Sequence, residues 1–357
     1  MVQSLGGGGA ERVARDVANG LYALRNDVAV LTNTELPIVY ELNPGIKLFN
    51  NKKIKWVPRI ISRFCVFQTL KIYKEFQPDI VIGIMWGEAL TAKIAMSFHP
   101  KKIPVIFSDH DSFVKPQGET IKRILIKRYL SKWCDYYTVL TNSDLVLCKI
   151  YNISRSRVMN NPLSLSPVSE IPPKRNVILA VGRLDAWHYK GFDILIKSWG
   201  KIAKKYPDWL LEIVGAGSES SKSYLQDIAK ECGCQNSVVF SGHYKDMTQK
   251  YKDSAVFVLS SRYEGFGLVL TEAMSQGCAC IACDYKGRQR DIVTDGVDGL
   301  IAKTNDVLDL ASKIEQVIRD DQLRYSIQQN APRNLGRYSI ESVALAWNQL
   351  INELTYR

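Results

Sequence analysis

Short apolar runs alternate with longer amphipathic ones along most of the chain, and this alternation restricts the fold more than any other feature. Candidate strands are Val28–Leu31, Ile80–Ile84, Val105–Phe107, Tyr137–Leu140, Val177–Val181, Leu211–Val214, Val238–Phe240, Val256–Leu259 and Cys280–Ala282. Helical periodicity fills the intervals, as in Leu90–Phe98, Thr120–Trp133, Ser143–Tyr151, Phe192–Lys204 and Leu225–Cys232. Strand followed by helix, repeated, predicts parallel sheets covered on both faces. The alternation is interrupted at Asn161–Pro173, where four prolines in thirteen residues read as a linker. A fresh series begins at Asn176. The expected fold class is therefore α/β, with two doubly wound domains over 1–165 and 166–338. A last helix pattern, Ile340–Leu354, lies in the segment 339–357, with Val343, Trp347, Leu350 and Ile351 on one face. Two such domains would turn the carboxyl ends of their sheets toward a shared cleft.

Composition removes several alternatives. With 46% hydrophobic and 23% charged residues, the chain can bury a core, which excludes a disordered or fibrous protein. No apolar run approaches the roughly 18 residues of a membrane-spanning helix. Met1–Ala10 lacks the apolar core of a signal peptide, so a cytoplasmic location is expected. The eight cysteines show no framework spacing and read as reduced thiols. Cys278, Cys280 and Cys283 read as part of one buried strand of small residues rather than as a metal cluster. Charge is uneven. Residues 1–165 hold 23 Lys/Arg and 13 Asp/Glu, whereas the remainder holds 24 and 23. A one-sided basic field attracts anionic partners.

Three loops carry the chemistry. Gly6–Gly9 leads through Ala10, Glu11 and Arg12 into a helix pattern with Val13, Val17 and Leu21. Glycines admit close approach of a ligand, and a helix start offers amide groups to phosphate. The loop lacks the terminal Lys-Ser/Thr of a P-loop, which disfavours triphosphatase chemistry. Only Met1–Leu5 precedes it, with Gln3 and Ser4 poorly suited to a central strand, so the first strand is expected to be shortened. The second loop, Gly182-Arg183 to Lys190-Gly191, follows strand Val177–Val181, and its two cations can bracket a diphosphate. The third, Glu264-Gly265-Phe266-Gly267-Leu268, follows strand Val256–Leu259 and opens a helix containing Glu272. Glu264 is thus expected in the loop and Glu272 inside the helix, each able to bind hydroxyls in a different place.

Taken with Asn161-Pro162, Val214–Gly217, Phe240–Gly242 and Asp295-Gly296, these pieces run in order along nearly the whole chain. In that order the chain resembles the retaining glycosyltransferases of family 4, with the two-domain GT-B fold. The resemblance is closest to bacterial enzymes that build O-antigen, capsule or exopolysaccharide. It implies that the closing helix crosses back to the N-terminal domain. It also implies roles. Arg183 and Lys190 would hold the donor's pyrophosphate, Glu272 the ribose, and Glu264 the donor sugar beside the reacting carbon. Backbone amides at Phe266, Gly267 and Leu268 would touch sugar and phosphate. Gly9 would approach the donor phosphate, Gly242 and His243 the base. His110 would lie beside the donor sugar, and Glu11 and Arg12 would face the acceptor. Trp86, after strand Ile80–Ile84, would stack on a sugar or sit in the core.

Asp109-His110-Asp111 offers a rival reading as a divalent-cation pair. It lies away from the cationic loop, so neither a metal nor a cofactor is expected. Two basic, aromatic-rich stretches suit an anionic membrane surface. One runs from Lys52, Lys53, Lys55, Arg59 and Arg63 to Lys71 and Lys74. The other has Lys122, Arg123, Lys127, Arg128 and Lys132 with Tyr129 and Trp133. No nucleic-acid reading motif accompanies the charge. The expected protein is an enzyme at the inner face of the cell membrane. It would move a hexose or N-acetylhexosamine from a nucleotide-sugar donor, UDP-linked, to a lipid-linked saccharide acceptor. The alternatives are a transferase with a small-molecule acceptor and a non-catalytic nucleotide-sugar-binding protein.

Overall fold

A computed structural model describes residues 1–32, 38–50, 66–111 and 121–355; the side chains at 121–124 and 126 lie outside that description. The basic stretch from Lys52 to Arg63 and Cys65 fall outside it, as do the side chains of Lys122 and Arg123. The chain divides into two compact units, Met1–Ser164 with Arg337–Arg357, and Leu165–Gly336.

The first unit runs α1 (Gly9–Ala23), β1 (Ala29–Thr32), β2 (Lys47–Asn50), α2 (Val66–Phe76), β3 (Val81–Ile84), α3 (Trp86–Ser97), β4 (Val105–Ser108), α4 (Ile121–Trp133), β5 (Tyr136–Val139), α5 (Asn142–Ile150) and β6 (Ser156–Val158). Strands β3-β4-β5-β6 form one parallel sheet and β1-β2 a parallel pair. The shortened first strand lies between them. Val2 bridges Thr32, and its amide donates to Leu31 O at 3.0 Å. The Met1 carbonyl accepts from the Ile84 amide at 2.9 Å. Pairing stops there because Ser4 turns its hydroxyl to Glu11 rather than continuing a ladder. Every residue of β4 is buried, as a strand covered on both faces requires. The closing helix returns to this unit and packs on α1, burying Val343, Ala344, Trp347 and Leu350.

Among the described residues of this unit, one cation breaks the apolar rule. Lys127 on α4 is fully buried and pairs with Asp109 at 2.9 Å. The Tyr137 hydroxyl donates to the same carboxylate oxygen at 2.8 Å. Lys127 was grouped above with the membrane-facing cations; the structure corrects this, since its charge is spent inside the unit. Burial of a charge demands such pairing.

The second unit runs β7 (Arg175–Val181), α6 (Trp187–Lys190), α7 (Phe192–Ile202), β8 (Leu210–Val214), α8 (Glu219–Glu231), β9 (Val238–Phe240), α9 (Thr248–Asp253), β10 (Ser254–Leu259), α10 (Leu268–Ser275), β11 (Ala279–Asp284), β12 (Leu300–Lys303), α11 (Val307–Arg319) and α12 (Asp321–Arg333). After Gly336 the chain rejoins the first unit in α13 (Ile340–Thr355). The six strands are parallel in the order β12-β11-β10-β7-β8-β9. The order reverses between β7 and β10, and in open parallel sheets ligands bind outside the carboxyl ends of the strands at such a reversal. Leu195, Trp199, Leu211, Ile213, Val256 and Ile281 fill one side of the sheet. Cys280 and Cys283 lie on buried β11 with Cys278 just before it. Burial pushes the Cys278 thiol up to about 11 and the Cys283 thiol up to about 12, so both stay protonated. Among the described residues, no helix is long and apolar enough to cross a membrane.

Candidate active site

The reversal point of the second unit gathers the strongest constellation. Lys190 ends the one-turn helix α6, and Glu264 lies in the loop after β10. Their side chains form an ion pair at 2.6 Å, with exposures of 26% and 12%. The Ser261 hydroxyl donates to the same Glu264 oxygen at 2.8 Å. The lysine stem crosses Gly182: a Cβ there would lie 3.1 Å from Lys190 Cγ and Cδ. A side chain at 182 would therefore crowd the lysine stem.

The loop after β7 and the loop after β10 are sewn together. Gly191 adopts φ +65°, and a Cβ on it would lie 2.0 Å from Ser260 O. The Ser260 hydroxyl donates to Lys190 O at 2.8 Å. The Arg262 amide donates to Tyr189 O at 2.8 Å. Its guanidinium donates to His188 O at 2.6 Å and grips both Asp193 carboxylate oxygens at 2.6 Å. A third nitrogen, Nε, donates to Asn305 Oδ1 at 2.6 Å. On the other side, Arg288 donates to Gly265 O at 2.9 Å.

Glu272 lies one turn into α10 and is buried at 5% exposure. The Tyr251 hydroxyl donates to its Oε2 at 2.8 Å. Phe266 is buried, so that position offers a ligand only its backbone. Gly267 caps α10, and its carbonyl accepts from the Leu270 amide at 2.8 Å; a helix start leaves its earliest amides without an intrahelical acceptor. Arg183 is exposed directly after β7. Asp185, two residues on, accepts from Ser218 N, Ser218 Oγ and Ser221 Oγ at 2.9, 2.6 and 2.8 Å. Those bonds hold its carboxyl below the usual range and tie the loop to the start of α8. Gly215 N donates to Gly242 O at 2.7 Å, which joins the loops after β8 and β9. His243 follows, exposed. The second unit thus sets Arg183, Lys190, Gly242, His243, Glu264, Phe266, Gly267, Leu268 and Glu272 after strands β7, β9 and β10, and joins Lys190 to Glu264 directly.

The first unit holds the remaining expected residues. The Glu11 carboxylate is engaged by its own loop: Gly7 N and Gly8 N donate to Oε2 at 2.8 Å each, and Ser4 Oγ donates to Oε1. Gly9 starts α1, with Arg12 one turn on. Trp86 opens α3, half-buried and packed against the apolar core. His110 follows β4. Its Nδ1 lies 3.0 Å from Asn161 Oδ1, so Nδ1 carries the proton; Nε2 then accepts from Ser108 Oγ at 2.9 Å. Burial lowers the His110 pKa to about 4, which keeps the ring neutral. Asp109 is taken up by Lys127 and Tyr137. Among the described residues, no cluster of three His, Cys, Asp or Glu side chains has a metal-binding arrangement.

Sequence reasoning did not single out Tyr251, Ser260, Ser261, Arg262, Asp193 or Arg288. One local signal exists: Ser260-Ser261-Arg262 is an abrupt polar run after the apolar strand β10. The partner of Tyr251 is 21 residues away and leaves no trace in local pattern.

Residues 7–165 match the model for Glycosyltransferase Family 4, and residues 164–334 that for Glycosyl transferases group 1. A Campylobacter jejuni relative is 27% identical over 99% of this chain and 98% of its own; it is named as an N-acetyl-D-galactosaminyltransferase acting on an undecaprenol-linked saccharide. The amylovoran biosynthesis glycosyltransferase AmsD of Erwinia amylovora is 27% identical over 97% of this chain and 96% of its own. The structure of Anabaena HepE with UDP superposes with a TM-score of 0.82 at 19% identity, covering 99% of this chain and 98% of that one.

Proposed function

Because the chain belongs to the family 4 glycosyltransferases of GT-B fold, and its relatives act in bacterial polysaccharide biosynthesis, we propose that it transfers a hexose or N-acetylhexosamine from a UDP-sugar to a lipid-linked saccharide, with retention and without a metal. The observation that carries this reading is the Lys190–Glu264 pair at the sheet reversal, with Arg183 exposed in the loop after β7 and Gly267 capping α10 in the loop after β10. Cleaving a sugar–diphosphate bond builds negative charge on the leaving phosphate. Arg183, Lys190 and a helix N-terminus would meet that charge. Glu264 sits beside the cation that would hold the phosphate, which suits it to the sugar next to the breaking bond. Glu272, held by Tyr251, would take the ribose hydroxyls. The neutral His110 would serve as a hydrogen-bond group rather than a charge.

The lipid-linked acceptor is favoured by the Campylobacter relative's name. It is also favoured by α4, whose Leu125, Tyr129 and Trp133 recur every four residues and are 42%, 70% and 47% exposed. Arg128 and Lys132 beside them are exposed too. An apolar stripe flanked by cations suits the headgroup region of an anionic bilayer, here the inner face of the cell membrane. The test is a nucleotide-sugar panel read first by thermal shift and then by transfer to an undecaprenyl-diphosphate saccharide, with and without EDTA. A UDP-sugar is expected to raise the melting midpoint and to turn over fully in EDTA. Stabilisation by no UDP-sugar, or loss of turnover in EDTA with rescue by Mn or Mg, overturns the corresponding part of the proposal.

A further inference from the structure

We propose that Arg262 is a positioning residue that sets the separation of Lys190 and Glu264, and with it the grip of the site on the donor diphosphate. The inference rests on the reading above that these two residues handle the donor. Helix α6 has only four residues and cannot hold its own terminus rigid. Its last three carbonyls, at His188, Tyr189 and Lys190, all accept bonds from Ser260 and Arg262. Arg262 supplies two of the three. It also ties its own loop after β10 to Asp193 in the first turn of α7 and to Asn305 in the loop after β12. Glu264 lies two residues along from it. The guanidinium therefore fixes the lysine's helix and the glutamate's loop as one piece. It uses a planar fork that lysine lacks. Its side chain is 14% exposed and Asp193 is 10% exposed, so the bonds are shielded from water.

The experiment uses the full chain and the variants Arg262→Gln, Arg262→Lys, Lys190→Ala and the double variant Arg262→Gln/Lys190→Ala. Each is titrated calorimetrically with UDP, GDP and ADP, which present the same diphosphate on different bases. Thermal melting reports folding separately. A displacement of an ångström can cost up to about 100-fold, so Arg262→Gln is expected to lose about 30-fold in diphosphate affinity. The double variant is expected to bind no worse than Lys190→Ala alone, because Arg262 acts through the lysine. Arg262→Lys keeps one bond to Asp193 and is expected to recover part of the loss. A merely structural arginine would lower the melting midpoint equally in both backgrounds and leave the affinity of the folded fraction unchanged; that result overturns the proposal. Loss on Lys190→Ala with none on Arg262→Gln overturns it too, and leaves the functional reading standing. Normal binding by Lys190→Ala, or no binding of any diphosphate by the parent chain, overturns the functional reading and this inference with it.

Discussion

Lys127→Met distinguishes a structural cation from a membrane-facing one on the same helix. In the folded unit, Lys127 Nζ and Asp109 Oδ2 are 2.9 Å apart, and neither side chain exceeds 1% exposure. Methionine keeps most of the lysine stem's volume, so little cavity forms. What is lost is the counter-ion. Asp109 retains the Tyr137 hydroxyl at 2.8 Å and the Asp111 amide at 3.2 Å. Removing one member of a buried pair costs about 3–5 kcal/mol. For a unit of this size, each kcal/mol moves the melting midpoint by about 2–4 °C, so a fall of about 10 °C is expected. Calorimetric melting of the full chain measures it. The double variant Asp109→Leu/Lys127→Met removes both charges and is expected to recover most of the loss. Arg128→Glu/Lys132→Glu, on exposed positions, is expected to leave melting within about 0.5 kcal/mol of the parent. It should instead reduce co-sedimentation with anionic vesicles, and more so at low salt. The reasoning fails if Lys127→Met melts like the parent, or if the exposed reversal melts as early as Lys127→Met.

Two further outcomes follow from the titrating groups and the paired carboxylates. His110 has a pKa near 4 in the fold against 6.5 when unfolded, because it is buried. As pH falls below about 6.5 the unfolded chain takes up that proton first, so stability should decline toward pH 4 and then level off. Denaturant unfolding of the parent and His110→Asn across this window checks the sign: identical slopes would remove the histidine from the account. Glu264→Gln is expected to lower turnover by about 100-fold with UDP affinity nearly kept, whereas Glu272→Gln should weaken UDP by about tenfold. Calorimetry with UDP beside a transfer assay separates the two, and a reversed pattern exchanges their roles.

Most of the fold was legible because parallel strands covered on both faces leave continuous apolar runs. Strands β3 to β5, β7, β8, β10 and β11 lie within a residue or two of the runs read from sequence. Strands β2, β6 and β12 were not legible, and all three are sheet edges. Strands β2 and β6, Lys47–Asn50 and Ser156–Val158, have no fully buried residue, so hydrophobic patterning never marks them. The four-residue β12 is buried, but it ends in an exposed lysine and follows a glycine-rich turn. Lys127 was misread for the opposite reason. A basic residue amid Arg128 and Lys132 looks solvated, and only the placement of Asp109 after β4 makes it a core residue.

The candidate site divides in the same way. Glycine and motif spacing pointed to Arg183, Lys190, Glu264 and Glu272, because those loops need particular residue types to turn and to expose amides. The groups that hold them in place act across the chain: Lys190 meets Glu264 over 74 positions, and Arg262 meets Asp193 over 69. Such bonds depend on which strands become neighbours, and that follows only from the order β12-β11-β10-β7-β8-β9. Once β7 and β10 are adjacent, residues just past their ends are forced together. Within the polar run Ser260-Ser261-Arg262, Ser260 and Arg262 then satisfy the carbonyls of a helix too short to stand alone, and Ser261 holds Glu264. A substitution in that run should therefore act on the site first and on global stability second, the reverse of the order expected at Lys127.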